Sequence, residues 1–104
     1  MSISVIIPAY NEETLIVGTL QALSKQTMKP TEIIVVDNNS TDNTAKIANK
    51  YGAKVITEKQ QGYVFALKKG LEESKQEIIA VTDADAKPDP KWLEHISDIF
   101  QDKK

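Results

Sequence analysis

Four short runs of β-branched and apolar residues recur along this chain of 104 residues, and a helical pattern follows each run. The runs are residues 3–7, 32–36, 54–57 and 78–82, and the helical patterns cover about 12–25, 42–51, 63–74 and 90–101. Nearly unbroken apolar runs are typical of strands that are buried on both faces. Strands that alternate with helices favour right-handed crossovers and a parallel sheet. We therefore predict an α/β fold, a Rossmann-like parallel sheet with helices on both faces.

Local signals suggest where these elements begin and end. Pro8 is predicted to end the first strand, and Asn11 to cap the first helix. Ser40 or Thr41 would cap the second helix, and Asp89 the fourth, with Pro90 as its first helical residue. Gly52 stands where a helix commonly ends in the left-handed conformation.

Apolar spacing predicts which side of the last two helices packs on the sheet. On the third helix the predicted buried side carries Val64, Leu67 and Leu71. The fourth helix carries Trp92, Leu93, Ile96, Ile99 and Phe100 at helical spacing. Gly70 lies inside the third helix, where glycine costs about 1 kcal/mol relative to alanine. The sequence offers no packing reason for this glycine.

Composition excludes several classes of function. The length predicts a single domain over residues 1–104, and the lack of cysteine excludes disulfides and zinc–thiolate sites. A net charge of −2 provides no basic field for nucleic acid. The sequence has no apolar run near the roughly 18 residues of a transmembrane segment, and its start lacks the basic residues of a signal peptide. We expect a cytoplasmic chain, with peripheral contact to a membrane left open.

An acidic pair, Asp83 and Asp85, follows the fourth strand. In an extended chain, residues i and i+2 project to the same side, so the two carboxylates would converge. Hard cations such as Mg²⁺ or Mn²⁺ take oxygen ligands and bridge carboxylates to substrate phosphates. The pattern indicates a metal–diphosphate site. The alternative is a polar turn, because aspartate and the nearby prolines are also turn formers.

Three polar segments follow the first, second and fourth strands, at residues 8–12, 37–40 and 83–85. The carboxyl ends of parallel strands meet at one edge of the sheet, where open α/β folds bind ligands. The first segment contains no glycine, which argues against a dinucleotide fingerprint, and the Walker phosphate loop is absent. A receiver domain or an aspartate-nucleophile phosphatase would carry its acidic pair after the first strand, whereas this chain carries it after the fourth.

Three motifs in this order resemble the N-terminal half of family 2 glycosyltransferases with the GT-A fold. They are SVIIPAYNEE at 4–13, EIIVVDNNSTDNT at 32–44 and EIIAVTDADAKPDPKWLE at 77–94. The resemblance covers essentially the whole chain. It implies the strand order 3-2-1-4, a nucleotide sugar as ligand, most often a UDP-sugar, and transfer of the sugar to an acceptor with inversion.

The resemblance also implies roles for particular residues. The nucleotide-sugar contacts would be Pro8, Ala9, Tyr10, Asn11, Glu12, Asp37, Asn39, Asp83 and Ala84. Among these, Asp37 would bind the pyrimidine base, and Asp83 would lie near the ribose and the metal. Asp85 would be the direct ligand of Mg²⁺ or Mn²⁺, with Asp83 beside it.

The catalytic domains of this family are much longer than this chain. The part without a counterpart here supplies the acceptor pocket and the general base, so we assign no catalytic residue. We expect a donor-binding domain of a glycosyltransferase. The alternative is a nucleotide-binding or interaction module that keeps the fold without turnover. The strand at 78–82 would be an uncovered edge, which predicts self-association or a partner chain.

Overall fold

The computed structural model describes residues 2–101. In chain order the elements are β1 (Ile3–Ala9), α1 (Ile16–Ser24), β2 (Glu32–Asp37), α2 (Thr44–Lys50), β3 (Lys54–Thr57), α3 (Tyr63–Glu73), β4 (Ile78–Val81) and α4 (Trp92–Gln101). The four strands form a parallel sheet in the order β3-β2-β1-β4. The predicted α/β class and the implied strand order are both confirmed. No helix within residues 2–101 is long and apolar enough to cross a bilayer.

The two faces of the sheet carry unequal layers. The larger core joins the face of β1 that carries Val5 and Ile7 to α1, α2 and α4, and the smaller core joins Ile6 to Ala66 of α3. The crossovers from β1 to β2 and from β2 to β3 both move in one direction across the sheet. The crossover from β3 to β4 moves in the opposite direction, to the other side of β1. Right-handed crossovers therefore place α3 on the opposite face. The reversal between β1 and β4 opens a crevice at the carboxyl ends of these strands.

β1 does not end at Pro8, as the sequence had indicated, but continues to Ala9 beside β2. Backbone groups alternate in direction along a strand, and the Ile6 carbonyl accepts a hydrogen bond from the Thr82 N–H on the β4 side. The nitrogen of Pro8 faces that same side, where it has no proton to donate. The proline ends the pairing with β4, which stops at Val81, and leaves the pairing with β2 intact.

The predicted caps of α1 and α2 are wrong. Asn11 has a φ of +52°, outside the extended conformation of an N-cap, and α1 begins only at Ile16. At the start of α2 the bond to the Thr44 N–H is accepted by Oδ1 of Asp42, at 3.0 Å, and not by Ser40 or Thr41. The side chains of Asn11, Ser40 and Thr41 instead form hydrogen bonds between neighbouring loops. The glycine prediction is confirmed, because Gly52 follows α2 with a φ of +89°.

The predicted buried side of α3 is also wrong. Val64 is 71% exposed and Leu71 is 43% exposed, whereas Ala66 and Gly70 contact the sheet. A Cβ built on Gly70 would lie 2.5 Å from Cγ2 of Ile6, which is the packing reason that the sequence did not show. The small residues let α3 lie close to β1, and its apolar residues stay beside the groove.

The fourth helix agrees with its prediction in part. α4 begins at Trp92 and not at Pro90, so Asp89 is not its N-cap. The Asp89 carboxylate accepts a hydrogen bond from the Lys91 N–H at 2.8 Å, within the turn that precedes the helix. Leu93 is buried, with Trp92 and Ile96 packed against the larger core. Ile99 and Phe100, at the distal end of α4, are exposed and do not join that core.

Candidate functional site

A cavity of about 280 Å³ opens at the carboxyl edge of the sheet, beside the reversal between β1 and β4. It is lined by Pro8, Ala9, Tyr10, Glu12, Asn38, Tyr63, Ala66, Asp83, Ala84 and Asp85. These residues come from the ends of β1, β2 and β4 and from the start of α3. Four segments that are far apart in sequence thus meet around one space at the carboxyl edge of the sheet.

Seven of the residues that the sequence singled out line this cavity. They are Pro8, Ala9, Tyr10, Glu12, Asp83, Ala84 and Asp85. Three others, Asn11, Asp37 and Asn39, are not among the lining residues. The nucleotide-contact role of all these residues stays a prediction.

The loop after β1 is fastened to the loop after β2 by reciprocal hydrogen bonds. The Glu12 N–H donates to Oγ1 of Thr44 at 2.9 Å, and the Asn11 N–H donates to Oγ of Ser40 at 2.9 Å. In return, Oδ1 of Asn11 accepts from the Thr41 N–H at 2.8 Å. The left-handed backbone of Asn11 therefore serves a loop–loop contact. These bonds fix where Tyr10 and Glu12 enter the cavity.

Asp37 ends β2 and is buried, with 6% of its surface exposed. Its Oδ1 has no hydrogen-bond partner among residues 2–101. A buried polar atom without a partner is costly, and such atoms are often satisfied by a ligand or by water. An unpaired carboxylate oxygen can accept a hydrogen bond from a donor such as a ring N–H. Asp37 is not among the residues that line the cavity, whereas its neighbour Asn38 is.

The acidic pair lies on a tight turn and not on an extended strand end, as the sequence had indicated, because β4 stops at Val81. The Ala86 N–H donates to the Asp83 carbonyl at 3.2 Å, so residues 83–86 close a β-turn with Asp85 near its apex. Both carboxylates are exposed, and Ala84 between them is buried. The turn presents two carboxylates to the cavity from one short segment.

Negative charge is crowded at this edge. The pKa of Glu12 is raised above its usual value by burial first, and then by the charges of Asp85, Asp42 and Asp83. Within residues 2–101, no group of three or more side chains is arranged to hold a metal ion by itself. Mg²⁺ commonly keeps only one or two protein carboxylates and completes its shell with phosphate and water. Asp83 and Asp85 fit that role.

Sequence reasoning missed three residues that line the cavity: Asn38, Tyr63 and Ala66. Tyr63 and Ala66 belong to the first turn of α3, which starts at the same edge because β3 is parallel to the other strands. That placement follows from the topology and could have been inferred. Asn38 sits between Asp37 and Asn39 in a polar run, where nothing distinguishes it from its neighbours.

The parallel sheet in the order β3-β2-β1-β4, with a polar cavity at its carboxyl edge, defines the Rossmann-like α/β class of protein. A family profile described as Glycosyl transferase family 2 matches residues 4–104. The chain belongs to this family. Among curated relatives, the glycosyltransferase AglE of Haloferax volcanii is 39% identical over 100 residues, which cover 88% of this chain and 33% of AglE.

Solved structures support the same conclusion. TarS of S. aureus in complex with UDP has a TM-score of 0.89 and 30% identity, over 97% of this chain and 32% of that one. Glucosyl-3-phosphoglycerate synthase of Mycobacterium tuberculosis, in complex with Mn²⁺, UDP and glucosyl-3-phosphoglycerate, has a TM-score of 0.75 and 31% identity, over 86% of this chain and 36% of that one. The chain thus spans about a third of the length of the proteins it matches.

Proposed function

We propose that this chain binds the nucleoside diphosphate of a UDP-sugar together with a divalent cation, for transfer of the sugar to an acceptor with inversion. The observation that carries the proposal is the cavity at which residues 8–12 meet the turn of Asp83 and Asp85. Support comes from two structural neighbours, because TarS has been solved with UDP and with UDP-GlcNAc, and glucosyl-3-phosphoglycerate synthase with Mn²⁺ and UDP.

Each wall of the cavity has a role in this proposal. Tyr10 and Asn38 flank the nucleoside, and the unpaired oxygen of Asp37 accepts from the base. Asp83 and Asp85 hold Mg²⁺ or Mn²⁺ at the diphosphate. When bound, such a cation neutralises the charge that develops on the diphosphate leaving group. A nucleotide sugar as donor agrees with a cytoplasmic chain, and that location stays a prediction.

The sugar would occupy an adjoining cavity of about 440 Å³. This space shares Tyr63 and Asp83 with the first cavity and reaches Trp92 and Lys87. Aromatic rings offer flat apolar surfaces with a polar edge, which suits the face of a hexose.

A titration followed by amide NMR tests the proposal. UDP is added to the isotope-labelled chain with and without Mg²⁺, and the same series is run on Asp85→Asn. Asp98→Asn is the matched control, since Asp98 is an exposed aspartate on α4 outside the cavity. We expect shifts at Tyr10, Asn38 and Asp83 that grow with Mg²⁺, and a loss of the Mg²⁺-dependent part in Asp85→Asn only.

The outcomes separate the alternatives. Without shifts at millimolar UDP, the nucleotide proposal would be wrong for this chain. Shifts that are identical with and without Mg²⁺ would contradict the cation role alone. If binding is found, incubation with UDP-sugars and candidate acceptors distinguishes an active transferase from a binding module, and the anomeric configuration of the product reports inversion or retention.

We also propose that β4 mediates self-association. Backbone direction alternates along a strand, and the N–H groups of Ile78 and Thr82 bond to β1, so those of Ile79 and Val81 point to the open edge. The side chains of Ile79 and Val81 are 41% and 37% exposed. A second copy placed antiparallel, with Ile79 opposite Val81, would pair all four of the outward backbone groups.

A further inference from the structure

Helix α1 carries one buried polar residue, Thr19, on the side that packs into the core with Ile16, Leu20 and Leu23. A second buried polar residue, Gln26, follows the end of the helix at Ser24. A buried hydroxyl or amide costs free energy unless it is hydrogen-bonded, so a polar group at such a position needs a reason. In both residues the side chain binds the backbone of the segment between β4 and α4.

Thr19 contacts the turn that carries the acidic pair. Its Oγ1 lies 2.8 Å from the carbonyl oxygen of Ala84 and 2.5 Å from that of Ala86. A hydroxyl has one proton, so the two carbonyls share a single donor. They belong to the residues on either side of Asp85. The backbone of Asp85 is therefore held from both sides at one point on α1.

The same helix is linked to the opposite wall of the cavity. The Glu12 carbonyl accepts from the Ile16 N–H at 2.8 Å, where α1 begins, and Thr19 follows one turn later. Glu12 and the turn at 83–86 are thus both hydrogen-bonded to the same helix, α1. In the sequence, more than seventy positions separate Glu12 from Asp85. Rigid support of this kind keeps ligand groups within the narrow geometry that binding requires.

We propose that Thr19 is a positioning residue for the Asp83–Asp85 turn, and that its hydroxyl sets the separation between this turn and Glu12 for binding of a divalent cation with a nucleoside diphosphate. The part of this proposal that concerns ligand binding rests on the proposed function. The part that concerns the conformation of the turn does not. Thr19 is not among the residues that line the cavity. Its effect reaches the site through the carbonyls of Ala84 and Ala86.

The first test needs no ligand. Thr19→Val keeps the shape of the side chain and removes the hydroxyl, whereas Thr19→Ser keeps the hydroxyl. Amide exchange is followed at Ala86, whose N–H closes the turn, and is compared with amides of β1 in the same sample. We expect exchange at Ala86 to accelerate about tenfold relative to β1 in Thr19→Val, and to stay within about twofold of the parent in Thr19→Ser.

The second test measures ligand binding. Calorimetric titration with UDP in the presence and absence of Mg²⁺ gives the Mg²⁺-dependent gain in affinity. Gln26→Leu is the control, because Gln26 binds the Asp89 carbonyl and the Leu93 N–H, away from the acidic pair. We expect Thr19→Val to reduce the Mg²⁺-dependent gain about tenfold, while Thr19→Ser and Gln26→Leu preserve it.

Each result has a distinct meaning. Equal exchange at Ala86 in the parent and in Thr19→Val would overturn the positioning role, whether or not UDP binds. A faster exchange without loss of the Mg²⁺-dependent gain would overturn its link to the cation. If the parent chain itself shows no binding of UDP, the proposed function fails, and the exchange experiment alone decides the role of Thr19 in the turn.

Discussion

Oδ1 of Asn38 accepts a hydrogen bond from the Gly62 N–H at 2.9 Å, which ties the end of β2 to the residue before α3. The amide nitrogen of the same side chain donates to the carbonyls of Glu58 and Gln60, both at 2.9 Å. All three hydrogen bonds hold the loop that precedes Tyr63. The position of Tyr63 in the cavity therefore depends on the buried side chain of Asn38, the residue that follows β2.

Replacement of Asn38 by aspartate tests this dependence. The carboxylate keeps the acceptor for Gly62 but faces two carbonyl oxygens without a proton to donate. We expect Asn38→Asp to lower the free energy of unfolding by about 2 kcal/mol and to weaken UDP binding. Asn39→Asp is the matched control, because Asn39 is exposed with a φ of +63°, which aspartate tolerates. Urea unfolding of both variants checks the difference, and equal losses would contradict the role of Asn38.

Gly70→Ala should destabilise the chain although alanine favours helices. The gain in helix propensity is about 1 kcal/mol. The added methyl group would meet Cγ2 of Ile6 at 2.5 Å and Cγ2 of Val36 at 3.2 Å, and overpacking typically costs about 1–3 kcal/mol. We expect a net loss of about 1 kcal/mol in urea unfolding.

Gly18→Ala is the comparison for that experiment. A Cβ at Gly18 meets Cε of Lys87 at 2.8 Å, and the flexible end of a lysine can move aside. This variant should be neutral or slightly more stable, by up to about 1 kcal/mol, because only the propensity term remains. If both glycine variants gain stability, the close approach of α3 to β1 is not a constraint.

The surroundings of Glu32, which lies away from the cavity, predict that the stability of the chain depends on pH. The buried Ser4 hydroxyl donates to its carboxylate and lowers the pKa of Glu32, and the Lys75 N–H at 3.2 Å adds to this effect against the cost of burial. A lowered pKa in the folded state stabilises the chain above the unfolded value, and this contribution is lost as the pH falls through the folded value.

Glu32→Gln should therefore lower the free energy of unfolding by about 0.5–1 kcal/mol at pH 7. The difference in this free energy between the variant and the parent should shrink towards zero on acidification below about pH 4. Urea unfolding across this pH range measures it. The control is Glu72→Gln, at an exposed position on α3. A difference between Glu32→Gln and the parent that stays constant with pH would show that the hydrogen bond to Ser4 does not depend on the charge of Glu32.

Val81→Lys tests the association through β4. A charge at Val81, the last residue of the open edge strand, opposes pairing of that edge with another strand. We expect the dissociation constant of the self-associated species to rise about tenfold or more in sedimentation velocity. Ile99→Lys places the same charge on an exposed site of α4 and should leave association unchanged. Monomeric behaviour of the parent chain at high concentration would contradict association through β4.

The sequence by itself determined the class of fold and the edge that carries the site. Strand runs such as residues 32–36 and the polar segments after them are local patterns, and parallel topology brings those segments together without further information. The acidic pair and Tyr10 could be named for this reason. The start of the first helix does not follow from the sequence in the same way, because a polar residue such as Asn11 before an apolar run looks the same in a helix cap and in a loop.

Only the tertiary structure showed which polar residues hold distant segments of the backbone in place. Asn38 binds backbone groups at least twenty positions away, and Thr19 binds one 65 positions away. No local pattern encodes such a partner. The burial of α3 through Ala66 and Gly70 depended likewise on how closely Ile6 and Val36 allow a helix to approach. Periodicity in sequence reports the apolar side of a helix, whereas its contact with the sheet is set by the shape of both surfaces, because side chains must interdigitate at close-packed density.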